Sequence, residues 1–236
     1  MARDLKMHHL NQFQDRELLM NTLALQVSTE LQNILKVKDR VTLAVPGGST
    51  PKPFFSKLSM MDLDWKRVLI IPTDERFVPE TSSLSNTGLI RATLLQNYAK
   101  KAQFMHFFKP NFTIAELASH ISEELEAYLP LDICILGMGS DMHTASIFPK
   151  SDRLADALDL KTSEIVIPIK APFINEKRLT LTARILREAS KIHLLLTGPD
   201  KKAALDFALK SNDSWNIAPV RSVLFSDNQL KIHYAN

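Results

Sequence analysis

The stretch LDICILGMGSDMHTASIFP, Leu131 to Pro149, decides the fold and holds the densest chemistry of the chain. Ile133 to Leu136 is an apolar, β-branched run of strand length, and it stops abruptly at Gly137-Met138-Gly139. Short apolar runs closed by glycine read as buried strands that deliver a loop. The loop then carries Ser140, Asp141, His143, Thr144 and Ser146, a density of small polar and titratable side chains that folding alone does not require. In open α/β sheets, ligands and chemistry collect at the carboxyl ends of strands. This loop is therefore read as the reaction centre.

Outward from it, the chain alternates strand and helix patterns. Asp15 to Val37 places Leu18, Leu19, Leu23, Leu25, Val27, Leu31, Ile34 and Leu35 at roughly helical spacing, and Val41 to Val45 is a five-residue strand. The strand breaks into Pro46-Gly47-Gly48-Ser49-Thr50-Pro51 before a helical pattern with Phe54, Phe55 and Leu58. Glycines let backbone N–H groups approach an anion, Ser and Thr add hydroxyls, and a helix N-terminus adds its dipole. The same residues also make ordinary turns. The segment lacks the Gly-Lys-Ser/Thr ending of a nucleotide-binding loop, so a small phosphorylated metabolite fits it better than a nucleotide.

Val68 to Ile71 is the next buried strand, followed by Asp74-Glu75-Arg76, three charges read as a solvated loop unless functional. Asn86 reads as the N-cap of a helix over Thr87 to Leu95, Phe104 to Phe108 as a short strand, and Thr113 to Tyr128 as an amphipathic helix. Beyond the central loop, Glu164 to Ile169 and Arg178 to Thr182 alternate as strands. Lys191 to Leu196 is a buried strand that ends in Thr197-Gly198-Pro199-Asp200-Lys201-Lys202 and a helix. Cations are disfavoured at a helix N-terminus, and an anionic ligand would account for them. Leu230 to Tyr234 reads as an edge strand. The pattern predicts an α/β fold, a three-layer sandwich with a mainly parallel central sheet, in one domain over 1–236.

Bulk properties exclude several functions. The 29 basic and 26 acidic residues leave a net charge of +3 with no basic stripe, so nucleic acid is not the expected partner. No apolar run nears the roughly 20 residues of a membrane span, and the N-terminus has no signal-peptide core, so a cytoplasmic protein is expected. The single cysteine, Cys134, lies inside the central strand and reads as a small core hydrophobe.

Four blocks now stand in order: VPGGSTPKPFF (45–55), PTDERFVP (72–79) followed by Ser85-Asn86, LGMGSDMHTASIFP (136–149), and RLTLT (178–182) followed by LLLTGPDKKAAL (194–205). Together they resemble the signature blocks of the 6-phosphogluconolactonases, from about Asp15 to about Leu209. The resemblance implies a Rossmann-like fold shared with glucosamine-6-phosphate isomerases. It also implies hydrolysis of 6-phosphoglucono-1,5-lactone in the oxidative pentose phosphate pathway, without a metal or organic cofactor. Its substrate partner is a phosphosugar lactone, and the chain is expected as a monomer or small homo-oligomer. One departure stands out: where the family has Asp-Gly-His, this chain has Asp141-Met142-His143.

Opening a lactone needs an activated water, a stabilised oxyanion and a hold on the distant phosphate. His143 suits the base, since an imidazole pKa of about 6.5 matches proton transfer near neutrality. Asp141 and Asp74 are both candidates to support it, and the residues alone do not choose. Arg76 suits the oxyanion or the phosphate. Gly47, Gly48, Ser49 and Thr50 are placed on the phosphate, with Arg178 and Lys201 as its cations; Lys201 rather than Lys202 matches the family spacing. His8, His9, His106, His120, His193 and His233 are read as surface or packing residues. Three rival readings follow. An aminosugar-phosphate isomerase or deaminase would carry an acidic residue in an Asn-Glu-Pro context where this chain has Ser146-Ile147-Phe148-Pro149. A dinucleotide enzyme would need a third glycine at Met142. A non-catalytic sugar-phosphate-binding module would bind 6-phosphogluconate without turnover.

Overall fold

The computed structural model describes residues 9–172, 174–210, 214–226 and 228–236. In chain order the strands are β1 (His9–Gln12), β2 (Val41–Val45), β3 (Val68–Pro72), β4 (Asp74–Arg76), β5 (Gln103–Phe104), β6 (Ile133–Leu136), β7 (Val166–Lys170), β8 (Lys177–Leu181), β9 (Lys191–Thr197) and β10 (Gln229–Ala235). The helices are α1 (Arg16–Leu35), α2 (Lys52–Ser59), α3 (Asn86–Thr93), α4 (Ile114–Glu126), α5 (Leu154–Leu158), α6 (Ala183–Glu188), α7 (Pro199–Lys210) and α8 (Arg221–Leu224). Seven strands, all parallel, form the central sheet in the order β1-β10-β9-β6-β2-β3-β5.

Side-chain alternation along β6 reveals the layers. Ile133 and Ile135 pack with Leu19, Leu23 and Leu31 of α1 and Phe54 and Phe55 of α2. Cys134 and Leu136 point the other way, into a core with Leu117 and Ile121 of α4, Leu205 of α7 and Val223 of α8. Strands apolar on both faces are the mark of a parallel sheet covered by helices on each side, which is why β2, β3 and β6 read as nearly continuous apolar runs. Fully buried, Cys134 has its thiol held protonated well above the ordinary range. Caps set the helix starts: Asp15 accepts from the Leu18 N–H at 2.8 Å, and Thr113 with Glu116 forms a reciprocal capping box on α4.

Several expectations change. Leu230 to Tyr234 is not an edge, because β1 pairs beside β10 in parallel register, His9 with Lys231 through Gln12 with Tyr234. The sequence HLNQ has no β-branched or alternating signal, so pairing alone makes it a strand. Phe104 to Phe108 shrinks to Gln103–Phe104. β4, β8 and β7 form a separate antiparallel sheet, so Asp74 and Glu75 are buried in a strand, not solvated in a loop.

The packing histidines are also more than filler. His193 and His233 are buried and hydrogen-bonded to each other at 3.0 Å, and His193 reaches Glu30 of α1 at 2.9 Å. Burial pushes the His233 imidazole down to about 3, aided by the charges of His193 and Lys231 and opposed by Glu30. On Glu30, burial acts upward, but the His193 hydrogen bond and charge outweigh it and hold the carboxyl at about 2. His8 lies outside the described residues.

Candidate active site

The strand order reverses between β2 and β6. From β2 the chain moves outward through β3 to β5, then returns to β6 on the other flank of β2 and moves outward through β9. Loops leaving two neighbouring strands toward opposite sides open a crevice at their carboxyl ends. A cavity of about 260 Å³ occupies that crevice, lined by residues from the loops after β2 and β6, the C-terminal end of β9 and the first turn of α7, together with β4 and β8.

The loop after β6 is tied down at several points. The Thr144 hydroxyl donates to the Gly137 carbonyl at 2.9 Å, the Gly139 N–H to the His143 carbonyl at 3.0 Å, and the Ser146 N–H to the Thr180 hydroxyl at 3.3 Å. His143 Nδ1 lies 2.5 Å from Asp141 Oδ1, which leaves Nε2 as the ring nitrogen for a ligand. Partial burial pushes the Asp141 carboxyl up, but the hydrogen bond and charge of His143 prevail and hold it below its ordinary value. Gly139 is required here: a Cβ on it would collide with the side chains of both Asp141 and His143. Met142 has φ +64°, in the left-handed region, where glycine costs nothing and methionine is strained. Its half-buried side chain packs against the core, away from the cavity lining.

Cations gather on the facing wall. Asp74 accepts from Ser146 Oγ at 2.5 Å and from Thr73 Oγ1 at 3.2 Å; its carboxylate does not bond His143. Arg178 Nη1 donates to Ser146 Oγ at 3.3 Å and stands 4.0 Å from Asp74 Oδ2. Burial lowers the Arg178 pKa, with Asp74 opposing and Arg76 adding to the effect, yet a guanidinium keeps its proton in proteins. Arg76 Nη1 donates to the Leu84 carbonyl and to Asn86 Oδ1, both at 2.8 Å. Glu75, fully buried, accepts from the Asn86 and Thr87 N–H groups at 2.8 and 2.6 Å, so it binds the α3 N-terminus to β4; burial raises its pKa against those donors. The N-cap of α3 is Ser85, not Asn86. Asn86 instead uses its side chain on Arg76 and on the Asp74 carbonyl, and it lies so close over Gly47 that a Cβ there would overlap it.

Gly47, Gly48 and Thr50 line the cavity beside the α2 N-terminus, and among the described residues the N–H groups of Gly48, Ser49 and Thr50 have no hydrogen-bond acceptor. Gly48 has φ +89°. Ser49 is exposed and not part of the lining. Lys201 lines the cavity from the first turn of α7, whereas Lys202 is engaged by Asp206 at 2.7 Å. Among the described residues, no group of three or more His, Cys, Asp and Glu side chains is arranged to hold a metal ion.

A sequence model described as glucosamine-6-phosphate isomerases/6-phosphogluconolactonase matches residues 14–232. The chain belongs to that family. It is 40% identical over 218 residues to a 6-phosphogluconolactonase of Mesorhizobium japonicum, covering 92% of this chain and 90% of the relative. To a 6-phosphogluconolactonase of Pseudomonas aeruginosa it is 39% identical over 215 residues, covering 90% and 88%. A crystal structure of a 6-phosphogluconolactonase from Shewanella baltica superposes with a TM-score of 0.93 at 32% identity, over 98% of this chain and 99% of that one.

The fold gathers His143, Asp74, Arg76, Gly47, Gly48, Thr50, Arg178 and Lys201 at one cavity, while Asp141 stands behind His143 and Ser49 faces solvent. Reading from sequence passed over Asn86, Ser146 and Phe148 as site residues. The signal for the first was the Ser85-Asn86 pair after the charged block; for the other two it was their place within three and five residues of His143.

Proposed function

We propose that the protein hydrolyses 6-phospho-D-glucono-1,5-lactone to 6-phosphogluconate, the lactone-opening step of the oxidative pentose phosphate pathway. One observation carries this: a single cavity in which His143, its Nδ1 engaged by Asp141 at 2.5 Å, shares the walls with Arg76, Arg178 and Lys201. His143 Nε2 takes a proton from water as the water oxygen attacks the lactone carbonyl carbon. Asp141 fixes the tautomer and stabilises the imidazolium. Arg76 meets the developing oxyanion; as the ring C–O bond breaks, the imidazolium returns its proton to the leaving oxygen. The phosphate is held by Arg178, Lys201 and the Gly47-to-Thr50 turn, with Ser49 contributing only its backbone N–H. Asp74 acts through Ser146 and Arg178, not as the partner of His143. The steps use the chain's own side chains and water.

Among the described residues no helix is long and apolar enough to cross a membrane. We place the enzyme in the cytoplasm, as one domain, monomeric or in a small homo-oligomer. Because the lactone also opens spontaneously, the test is a coupled assay. Fresh lactone is generated enzymatically and its decay is followed with and without the protein. Acceleration is expected; decay at the uncatalysed rate, with 6-phosphogluconate still bound, would leave a binding module instead.

A further inference from the structure

We infer that Phe148 is the positioning residue that sets the plane of the His143 imidazole, an inference that rests on His143 being the base. The two rings stack with centroids 3.9 Å apart and planes 23° from parallel. The Arg178 guanidinium carbon stands 5.2 Å from the centroid of the same Phe148 ring.

The need for such a group follows from the torsion. The bond that swings an imidazole has broad, poorly defined minima, and one hydrogen bond tolerates wide angles. Asp141 therefore fixes which nitrogen is occupied but holds the ring plane loosely. A flat face stacked at 3.9 Å resists rotation, because turning the imidazole breaks the near-parallel contact.

Phe148 can serve as a reference surface because its own backbone is fixed. Its carbonyl accepts from the Ser151 N–H at 3.2 Å. The following residue, Pro149, restricts its backbone to extended conformations. The preceding Ile147 is fully buried, and Ser146 is bonded to Asp74 at 2.5 Å. Arg178 has independent tethers in Ser146 and Asp74, so losing the ring disturbs the base more than the cation.

The test compares Phe148→Leu, Phe148→Tyr and His143→Ala on fresh lactone, with kcat and KM separated and 6-phosphogluconate binding measured. Phe148→Leu fills similar space without a flat face, and it should lower kcat about 10- to 100-fold, the scale of a displaced catalytic group, with KM and product binding little changed. Phe148→Tyr restores most of the rate. Independently of any variant's folding, the His143 ring protons of the starting enzyme, identified by their absence in His143→Ala, should show the upfield NMR shift of a stacked ring; Phe148→Leu should abolish it. Normal kcat in Phe148→Leu with inactive His143→Ala overturns the positioning role alone. So does an equal loss in Phe148→Tyr, or unshifted His143 protons. Normal kcat in His143→Ala overturns the base assignment beneath it.

Discussion

Met142 stands where the resemblance to the family implies glycine, and its φ of +64° gives that difference a measurable energy. The loop imposes the conformation: the Met142 N–H donates to the Gly139 carbonyl at 3.0 Å, and its carbonyl accepts from the Val220 N–H at 3.0 Å. Replacing Met142 with Ala keeps the left-handed strain and removes the side chain from the core, a loss of about 1 kcal/mol for a half-buried methionine. Replacing it with Gly incurs the same packing loss and loosens the unfolded chain by about 0.4–1 kcal/mol, but relieves about 1–2 kcal/mol of strain. The difference predicts that Met142→Gly is more stable than Met142→Ala by about 0.8 kcal/mol, from the midpoints of those ranges. Urea unfolding of both variants, with equal slopes, measures it. Since the side chain lies outside the cavity lining, kcat/KM of the Gly variant should stay within about tenfold of the starting enzyme, roughly 1.4 kcal/mol of transition-state stabilisation. An Ala variant as stable as the Gly variant would refute the strain. An inactive starting protein made active by glycine would refute the lactonase function.

Three further outcomes are expected. Arg178→Ala or Lys201→Ala should chiefly raise KM for the phosphorylated lactone and matter far less against a lactone without phosphate; equal damage to both would reject the phosphate role. Gly139→Ala drives a Cβ into Asp141 and His143, so kcat should fall by the ~100-fold or more of general-base loss while thermal stability barely moves; near-normal kcat would show that the base lies elsewhere. His233 stays neutral in the fold down to about pH 3, while its unfolded form takes up a proton below 6.5, so stability is fully present above 6.5 and declines as pH falls toward 3. Glu30, held at about 2 against an ordinary 4.5, adds a second loss below pH 4.5. His233→Gln, which cannot titrate, should flatten the decline between pH 6.5 and 4.5, and an unchanged slope in urea unfolding would discount the histidine.

The strands β2, β3, β6 and β9 were legible because a parallel strand covered on both faces has to be a nearly continuous apolar run, and such runs survive in one dimension. The loop after β6 was legible for the opposite reason, since polar residues next to an apolar strand serve no core. β1 was illegible because its four residues become a strand only when β10 offers them an edge. The same holds for Asp74 and Glu75. Three consecutive charges read as solvent-facing, and partners such as the Ser146, Thr73 and Ser85 hydroxyls, Arg178 and the α3 N-terminus make the burial of Asp74 and Glu75 tolerable.

By itself, the sequence determined the alternation of strand and helix, the Gly turns, and the residue types available for chemistry, because each depends on neighbours within a few positions. The tertiary structure alone decided between Asp141 and Asp74 as the neighbour of His143, turned Ser49 out of the cavity, drew in Asn86, and stacked Phe148 on the imidazole. Those are contacts of orientation and distance. Asp74 and Ser146 lie 72 residues apart in the chain yet meet at 2.5 Å, and nothing local to either residue specifies that meeting.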